Sequence, residues 1–417
     1  MKIQPDRLLA DIEALAAIGD TGDGGNCRLA LTDEDAGGRE LVVGWMRALG
    51  LDVRVDRIGN VVATRAGAEG TGAGADANGL APVMTGSHID TVGTGGRYDG
   101  TLGVLAGLEV VRALDDAGIR TRRPLEVAFF TDEEGSRFAP DMLGSLVYAG
   151  GMPLEDALDV VAIDGAVLGD ELERIGWAGD GAVPGPAPHA YVELHIEQGP
   201  VLEEAGVTIG AVTGVQGISW QELTVTGQPN HAGTTPMRLR RDPAYVAAET
   251  IGFVRRLATD LGVHQVGTVG RLDLHPNLVN VVAARATLTV DLRNTDEAVL
   301  AHAERRLREH VAALASAEGC EVAWRRLARF EPVAFDPAVI DLVESTAERL
   351  GHSVMRLPSG AGHDAQMLAR VCPTGMVFVP SRAGVSHNPA EFTEPEHLAA
   401  GAQVLAEVLT ELAGVVE

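Results

Sequence analysis

Cysteine is scarce: Cys27, Cys320 and Cys372 are the three in 417 residues, odd in number, scattered and without a CxxC partner. This excludes a disulfide framework and a thiolate zinc site, and leaves buried reduced thiols as the expectation. Lysine is nearly missing, since Lys2 is the one such residue and the remaining basic residues are arginine. That is a compositional bias without chemistry of its own, although salt adaptation would also favour so acidic a chain. Basic residues number 33 against 59 acidic ones, a formal charge of −26, which repels nucleic-acid phosphates and anionic membranes alike. No run of about 18 apolar residues occurs and no lipidation signal stands at either end. The first twenty residues, MKIQPDRLLADIEALAAIGD, place Asp6, Asp11, Glu13 and Asp20 among the apolar positions, so they read as an amphipathic helix and not a signal peptide. A cytoplasmic protein is expected. Fixed-period repeats are absent, and TVGTGGRYDG lacks the GxGxxG spacing of a dinucleotide site.

What is present points to a folded α/β protein. Hydrophobic residues make up 46% of the chain, and its length suggests two or three domains. Between 81 and 131 the pattern runs strand, helix, strand, as in a parallel sheet flanked by helices, and ligands of such sheets sit beyond the carboxyl ends of the strands. The segment AGAEGTGAGADANGLAP (66 to 82) reads as a flexible surface loop. From about 214 alternating β patterns are separated by helices near 242 to 261 and 295 to 318, which suggests a small α+β domain. Helix (337 to 351), the strand MVFVP and a closing helix (394 to 415) follow. The expected organisation is a large domain with a mainly parallel sheet, residues 1–213 and 331–417, into which a smaller α+β domain, residues 214–330, is inserted.

Short acidic and histidine motifs carry the chemistry: GSHIDTV, GGRYDG, FTDEEGSRF, HIEQGP and VSHNPAE. They supply His88, Asp99, Glu134, His195 and His387, all of types that hold divalent metal. On an extended segment His88 and Asp90 point to one side, so Asp90 is expected to orient the imidazole. Asp99 precedes a helix starting at Thr101 and is either an N-cap or a carboxylate that gives one oxygen to each of two metals. Glu133 and Glu134 reach one site only if the strand ends there in a tight turn, which Gly135 permits. They form either a solvated acidic turn or a pair in which one carboxylate binds metal and the other moves protons. The histidines at 189, 264, 275, 302, 310, 352 and 397 are read as structural.

Together with GQPNHAGTTPMRLRRDP, these motifs resemble the amidase branch of the M20 metallohydrolases, the hydantoinase/carbamoylase family, from about residue 5 to the C-terminus. The resemblance implies two divalent ions, zinc first and manganese, cobalt or nickel as alternatives. His88, Asp99 and His195 would hold one, and Asp99, Glu134 and His387 the other. It makes Glu133 the general base, places Gln198 near the ureido group, His231 on the oxyanion, Asn280 and Arg293 on the substrate carboxylate, and a backbone contact at Gly362. It also implies a homodimer in which lid residues complete the site. The reaction implied is hydrolysis of an N-carbamoyl-L-amino acid, with allantoate or N-carbamoyl-β-alanine as alternative substrates. An aminoacylase or dipeptidase, or a non-catalytic metal-binding dimer, fits less well because HIEQGP and Glu133 are both kept. Pro229 and Asn388 depart from the pattern without removing a ligand.

Overall fold

Four strands that alternate with helices along the chain run parallel at the centre of a sheet, in the spatial order Leu125–Phe130, Val83–His88, Ala190–Ile196, Thr374–Val379. The computed structural model describes residues 1–68, 79–262 and 264–416, so residues 69–78 of the expected surface loop lie outside the described residues. Every position of the four strands is buried, which is why they read as apolar runs without alternation. The flanks are antiparallel: Val61–Arg65 and then Asp52–Val55 lie beyond Leu125–Phe130, and Ile209–Val215 pairs with Thr374–Val379. The sheet is therefore mainly parallel at its core, with helices packed on it.

Helix Thr101–Asp116 is almost wholly buried and follows Gly100. A Cβ at Gly103 would sit 2.6 Å from the Leu194 carbonyl oxygen, so glycine there lets the helix lie close on the strand that carries His195. The closing helix Pro395–Ala413 opens on proline, whose missing N–H costs nothing in a first turn, and buries a continuous apolar stripe.

Backbone packing divides the described chain into two units, residues 1–214 with 334–417, and residues 215–333. The second unit holds a four-stranded antiparallel sheet in the order Glu321–Phe330, Gly217–Thr226, Arg285–Asn294, Val266–His275. Along Arg285–Asn294 burial alternates residue by residue. The buried set Ala286, Leu288, Val290 and Leu292 packs with Val246 and Val254 of helix Pro243–Leu261 and with Leu300 and Leu307 of helix Glu297–Glu318. Both helices start where an aspartate accepts a backbone N–H, Asp242 from Ala244 and Asp296 from Val299.

All three cysteines are free, but only Cys320 is buried; Cys27 and Cys372 are half-buried, short of the expected burial. His310 stacks on Phe253 with ring centroids 3.8 Å apart, a packing role. Among the described residues no helix is long and apolar enough to cross a membrane.

Candidate metal centre

The four parallel strands end on one rim, and the motif residues of the first unit meet there. His88 closes its strand, His195 stands one place from the end of its own, Glu133 and Glu134 come just past Phe130, and His387 lies in the loop after Val379. The chain turns sharply at this rim. Asp132, Gln198 and His387 all have positive φ, at 57°, 57° and 54°, a strained choice for residues other than glycine and one that concentrates at functional sites.

Asp99 lies between the two halves of the cluster. Its Oδ1 is 3.7 Å from His88 Nε2 and 3.2 Å from His195 Nε2. Its Oδ2 is 3.4 Å from His387 Nε2, which in turn is 3.2 Å from Glu134 Oε2. The helix that follows is capped by Gly100 with no side-chain bond, so Asp99 is not its N-cap. Gly100 has φ 66°, and a Cβ there would fall 2.3 Å from His88 Nε2. Any other residue would fill the space between the ligands.

Both buried imidazoles are oriented from behind by carbonyl oxygens. His88 Nδ1 lies 2.9 Å from the Asp90 carbonyl oxygen and His195 Nδ1 lies 2.8 Å from that of Ile196. With Nδ1–H donating there, Nε2 is the nitrogen each ring turns to the cluster, where it donates to Asp99 while protonated and would give its lone pair to a cation that displaces that proton. Two ligands ~2.1 Å from one tetrahedral cation are ~3.4 Å apart, so donor spacings of 3.2 to 3.7 Å fit a cation on each side of Asp99.

The charges fit as well. Burial alone would raise Asp99, but hydrogen bonds to His195, His387 and His88 hold it well below the usual carboxylate range. Hydrogen bonds to Asp99 and Glu134 raise His387 to about 10. Glu133 is buried with Oε2 3.4 Å from His88 Nε2, and burial, then Asp364 and Glu134, push its carboxyl well above normal against the pull of His88. So much acid in so little water calls for cationic compensation.

Asp90 differs from the expectation. Its carboxylate lies 3.8 Å from His88 Nδ1, and it is the Asp90 main chain that bonds the ring. The strand ends at His88, so two-residue alternation no longer sets the direction of residue 90. The carboxylate instead accepts the backbone N–H groups of Glu133 at 3.4 Å and Glu134 at 3.3 Å, fixing the turn that carries both glutamates.

Several participants went unread in the sequence. Glu391 Oε1 accepts the amides of Tyr98 and Asp99 at 3.0 and 3.2 Å, and Ser386 Oγ is 2.9 Å from Asp99 Oδ2. The His363 ring meets His195 edge-on at 4.6 Å, and burial, then the proximity of His195, hold it well below the usual imidazole range. Glu193 is taken up by Ser87 Oγ at 2.6 Å and the Ala365 amide at 2.8 Å. Its place two residues before His195 on one strand was the available signal. Gln198 Nε2 donates to Asp99 Oδ2 at 2.8 Å. Gln198, Gly362 and His363 line, with Asp99, Glu133 and Glu134, a cavity of about 100 Å³.

Residues 84–411 match peptidase family M20/M25/M40. The chain is 42% identical over 416 residues to the N-carbamoyl-L-amino-acid amidohydrolase of Rhizobium meliloti, covering 100% of this chain and 98% of that one. It is similar to the crystal structure of an amidase of the hydantoinase/carbamoylase family from Burkholderia multivorans, with TM-score 0.95, 48% identity and coverage of 99% and 98%. The ureidoglycolate hydrolase of Arabidopsis thaliana is 32% identical over 423 residues, 99% of this chain and 87% of that one. The chain belongs to the M20 family, in its hydantoinase/carbamoylase branch. It is a hydrolase.

The remaining expected residues of this M20 enzyme lie in the second unit. His231 and Asn280 are neighbours there, because Asn230–His231 pairs with Val281–Val282 and the Ala232 amide donates to the Asn280 carbonyl at 3.0 Å. His231 is exposed, and its Nδ1 accepts the amides of Gly233 and Thr234 at 3.0 and 3.2 Å, which leaves Nε2 to carry the ring proton. Arg293 grips a carboxylate already, with Nη2 3.0 Å from Asp291 Oδ2.

Proposed function

We propose that this enzyme hydrolyses the carbamoyl C–N bond of an N-carbamoyl-L-amino acid at a site holding two divalent cations. Support comes first from the Asp99 carboxylate, which faces His88 and His195 with one oxygen and His387 with the other. The substrate class follows the 42% full-length identity to an N-carbamoyl-L-amino-acid amidohydrolase. His88, Asp99 and His195 would hold one cation, and Asp99, Glu134 and His387 the other. Imidazole and carboxylate ligands suit zinc, with manganese, cobalt and nickel as alternatives. Cations there would supply Lewis-acid polarisation of the ureido carbonyl and would lower the pKa of water towards about 7.

The chain's own groups do the rest. Glu133, buried and raised in pKa, takes a proton from the attacking water and passes it to the leaving nitrogen. Asp90 holds the amides of the turn that aims it. Gln198 exchanges its bond to Asp99 for the ureido group, Gly362 offers its backbone, His231 donates from Nε2 to the oxyanion, and Asn280 with Arg293 receives the substrate carboxylate through a planar fork. The products are the amino acid, ammonia and carbon dioxide. We place the enzyme as a homodimer assembled through residues 215–333.

Ammonia release from N-carbamoyl-L- and D-amino acids, N-carbamoyl-β-alanine, allantoate and ureidoglycolate tests the substrate. The L-amino acid derivatives should lead. Fast turnover of ureidoglycolate alone would favour the second reading, which the Arabidopsis relative supports.

A further inference from the structure

The two loops that carry Asp99 and His387 are joined by one carboxylate. Glu391 lies just past His387 in the same loop, within the first unit, and is buried at 4% exposure. Its Oε1 accepts two amides of the other loop, those of Tyr98 and of Asp99 itself, at 3.0 and 3.2 Å. Its Oε2 lies 3.0 Å from Ser386 Oγ, and that hydroxyl lies 2.9 Å from Asp99 Oδ2, the oxygen that faces His387. Asp99 is thus held by its main chain directly and by its side chain through Ser386.

The sequence makes room for this clip. A Cβ on Gly96 would fall 2.2 Å from Glu391 Oε1, so glycine at that place in GGRYDG is what lets the carboxylate reach the amides. Further contacts run between the same two loops. Thr94 Oγ1 donates to the His387 carbonyl at 3.3 Å, and the rings of Tyr98 and Phe392 meet edge-on at 6.0 Å. Burying a carboxylate is costly unless hydrogen bonds repay it, and each of these bonds ends on Asp99 or its neighbours. Glu391 belongs to none of the groupings of His and carboxylate side chains able to surround an ion among the described residues.

We infer that Glu391 is a positioning residue for the cation assigned to Asp99, Glu134 and His387. The inference rests on the two-cation reading proposed above. Removing the clip frees Asp99 Oδ2 and the His387 loop together, whereas the rings of His88 and His195 keep their carbonyl partners, which residue 391 does not touch. The loss therefore falls on one cation. Hydrogen bonding and not charge is its basis. In Glu391→Gln the side-chain carbonyl takes the same two amides and the NH2 donates to Ser386 Oγ, which leaves the hydroxyl hydrogen for Asp99.

Calorimetric titration of Co2+ into the full-length protein, stripped of metal by a chelator, tests the role. The native chain should take up two equivalents. Glu391→Ala should keep one at native affinity and weaken the other by at least about tenfold, whereas Glu391→Gln should hold both within about threefold of native. Gly96→Ala, which displaces the carboxylate without removing it, should repeat the one-sided loss, and it decides the matter if Glu391→Ala is too unstable to titrate. Both cations weakened alike, neither weakened, or Glu391→Gln as poor as Glu391→Ala would overturn the inference and leave the two-cation reading standing. A native chain that takes up one equivalent would instead bring down that reading, and the inference with it.

Discussion

Glu133 lies 3.4 Å from His88, yet it belongs to none of the groupings of His and carboxylate side chains able to surround an ion among the described residues. A carboxylate beside those groupings, but in none of them, suits the proton-carrying role proposed for it. Glu133→Gln should keep both metal equivalents by atomic emission and lower kcat by about 100- to 10,000-fold with KM little changed. Near-full kcat in that variant would sink the assignment of the base. That His88, Asp99, Glu134, His195 and His387 come together was legible because their motifs are long and place histidine and acid beside glycine or proline. Glu391 and His363 were not. Glu391 acts on the amides of Tyr98 and Asp99 from 293 and 292 positions away, and nothing in the local pattern of either segment announces the other. Arg293 is a milder case: its residue type suits a substrate carboxylate or a strand-surface salt bridge, and the structure shows the salt bridge, to Asp291 two places back on the same strand.

Asp90 acts at the scale of the element, tying the end of one strand to the turn after the next. Truncation in Asp90→Ala should free the amides of Glu133 and Glu134, lowering kcat by about 10- to 100-fold while metal content stays above one equivalent, and Asn should restore part of the loss. Equal damage from Ala and Asn would point to the charge and not the hydrogen bonds. Helices were the elements best read from the sequence. Asp242-Pro243 and Asp336-Pro337 pair a cap with a first-turn proline, and the helices Pro243–Leu261 and Pro337–Arg349 begin there. The antiparallel flanks of the large sheet were not legible, because Asp52–Val55 and Val61–Arg65 are short and partner choice depends on tertiary packing. The direction of Asp90 escaped for a related reason, since a strand's alternation stops where its pairing stops.

For the whole molecule, Glu126 ties stability to pH. Burial raises its folded value to about 7, above the ordinary 4.5, so the folded state holds the proton more tightly. The resulting stability is complete below about pH 4.5 and is lost as pH rises through about 7. Glu126→Gln should therefore unfold later than the native chain at pH 8, by up to about 3 kcal/mol, and by almost nothing at pH 4.5, in paired thermal melts. The proposed homodimer is tested on the whole molecule too. Specific activity should fall on dilution through the range in which such a dimer would dissociate, and a proven monomer with undiminished activity would refute it. One feature of Asp99 also bears on how the molecule comes to exist. Its two oxygens face partners made at very different moments of synthesis: His88 precedes it, His195 follows about a hundred residues on, and His387 comes only after residues 215–333. A nascent chain on the ribosome can thus close one half of the centre long before the other. The side of the cluster that needs His387 can form only after residues 215–333 have been made.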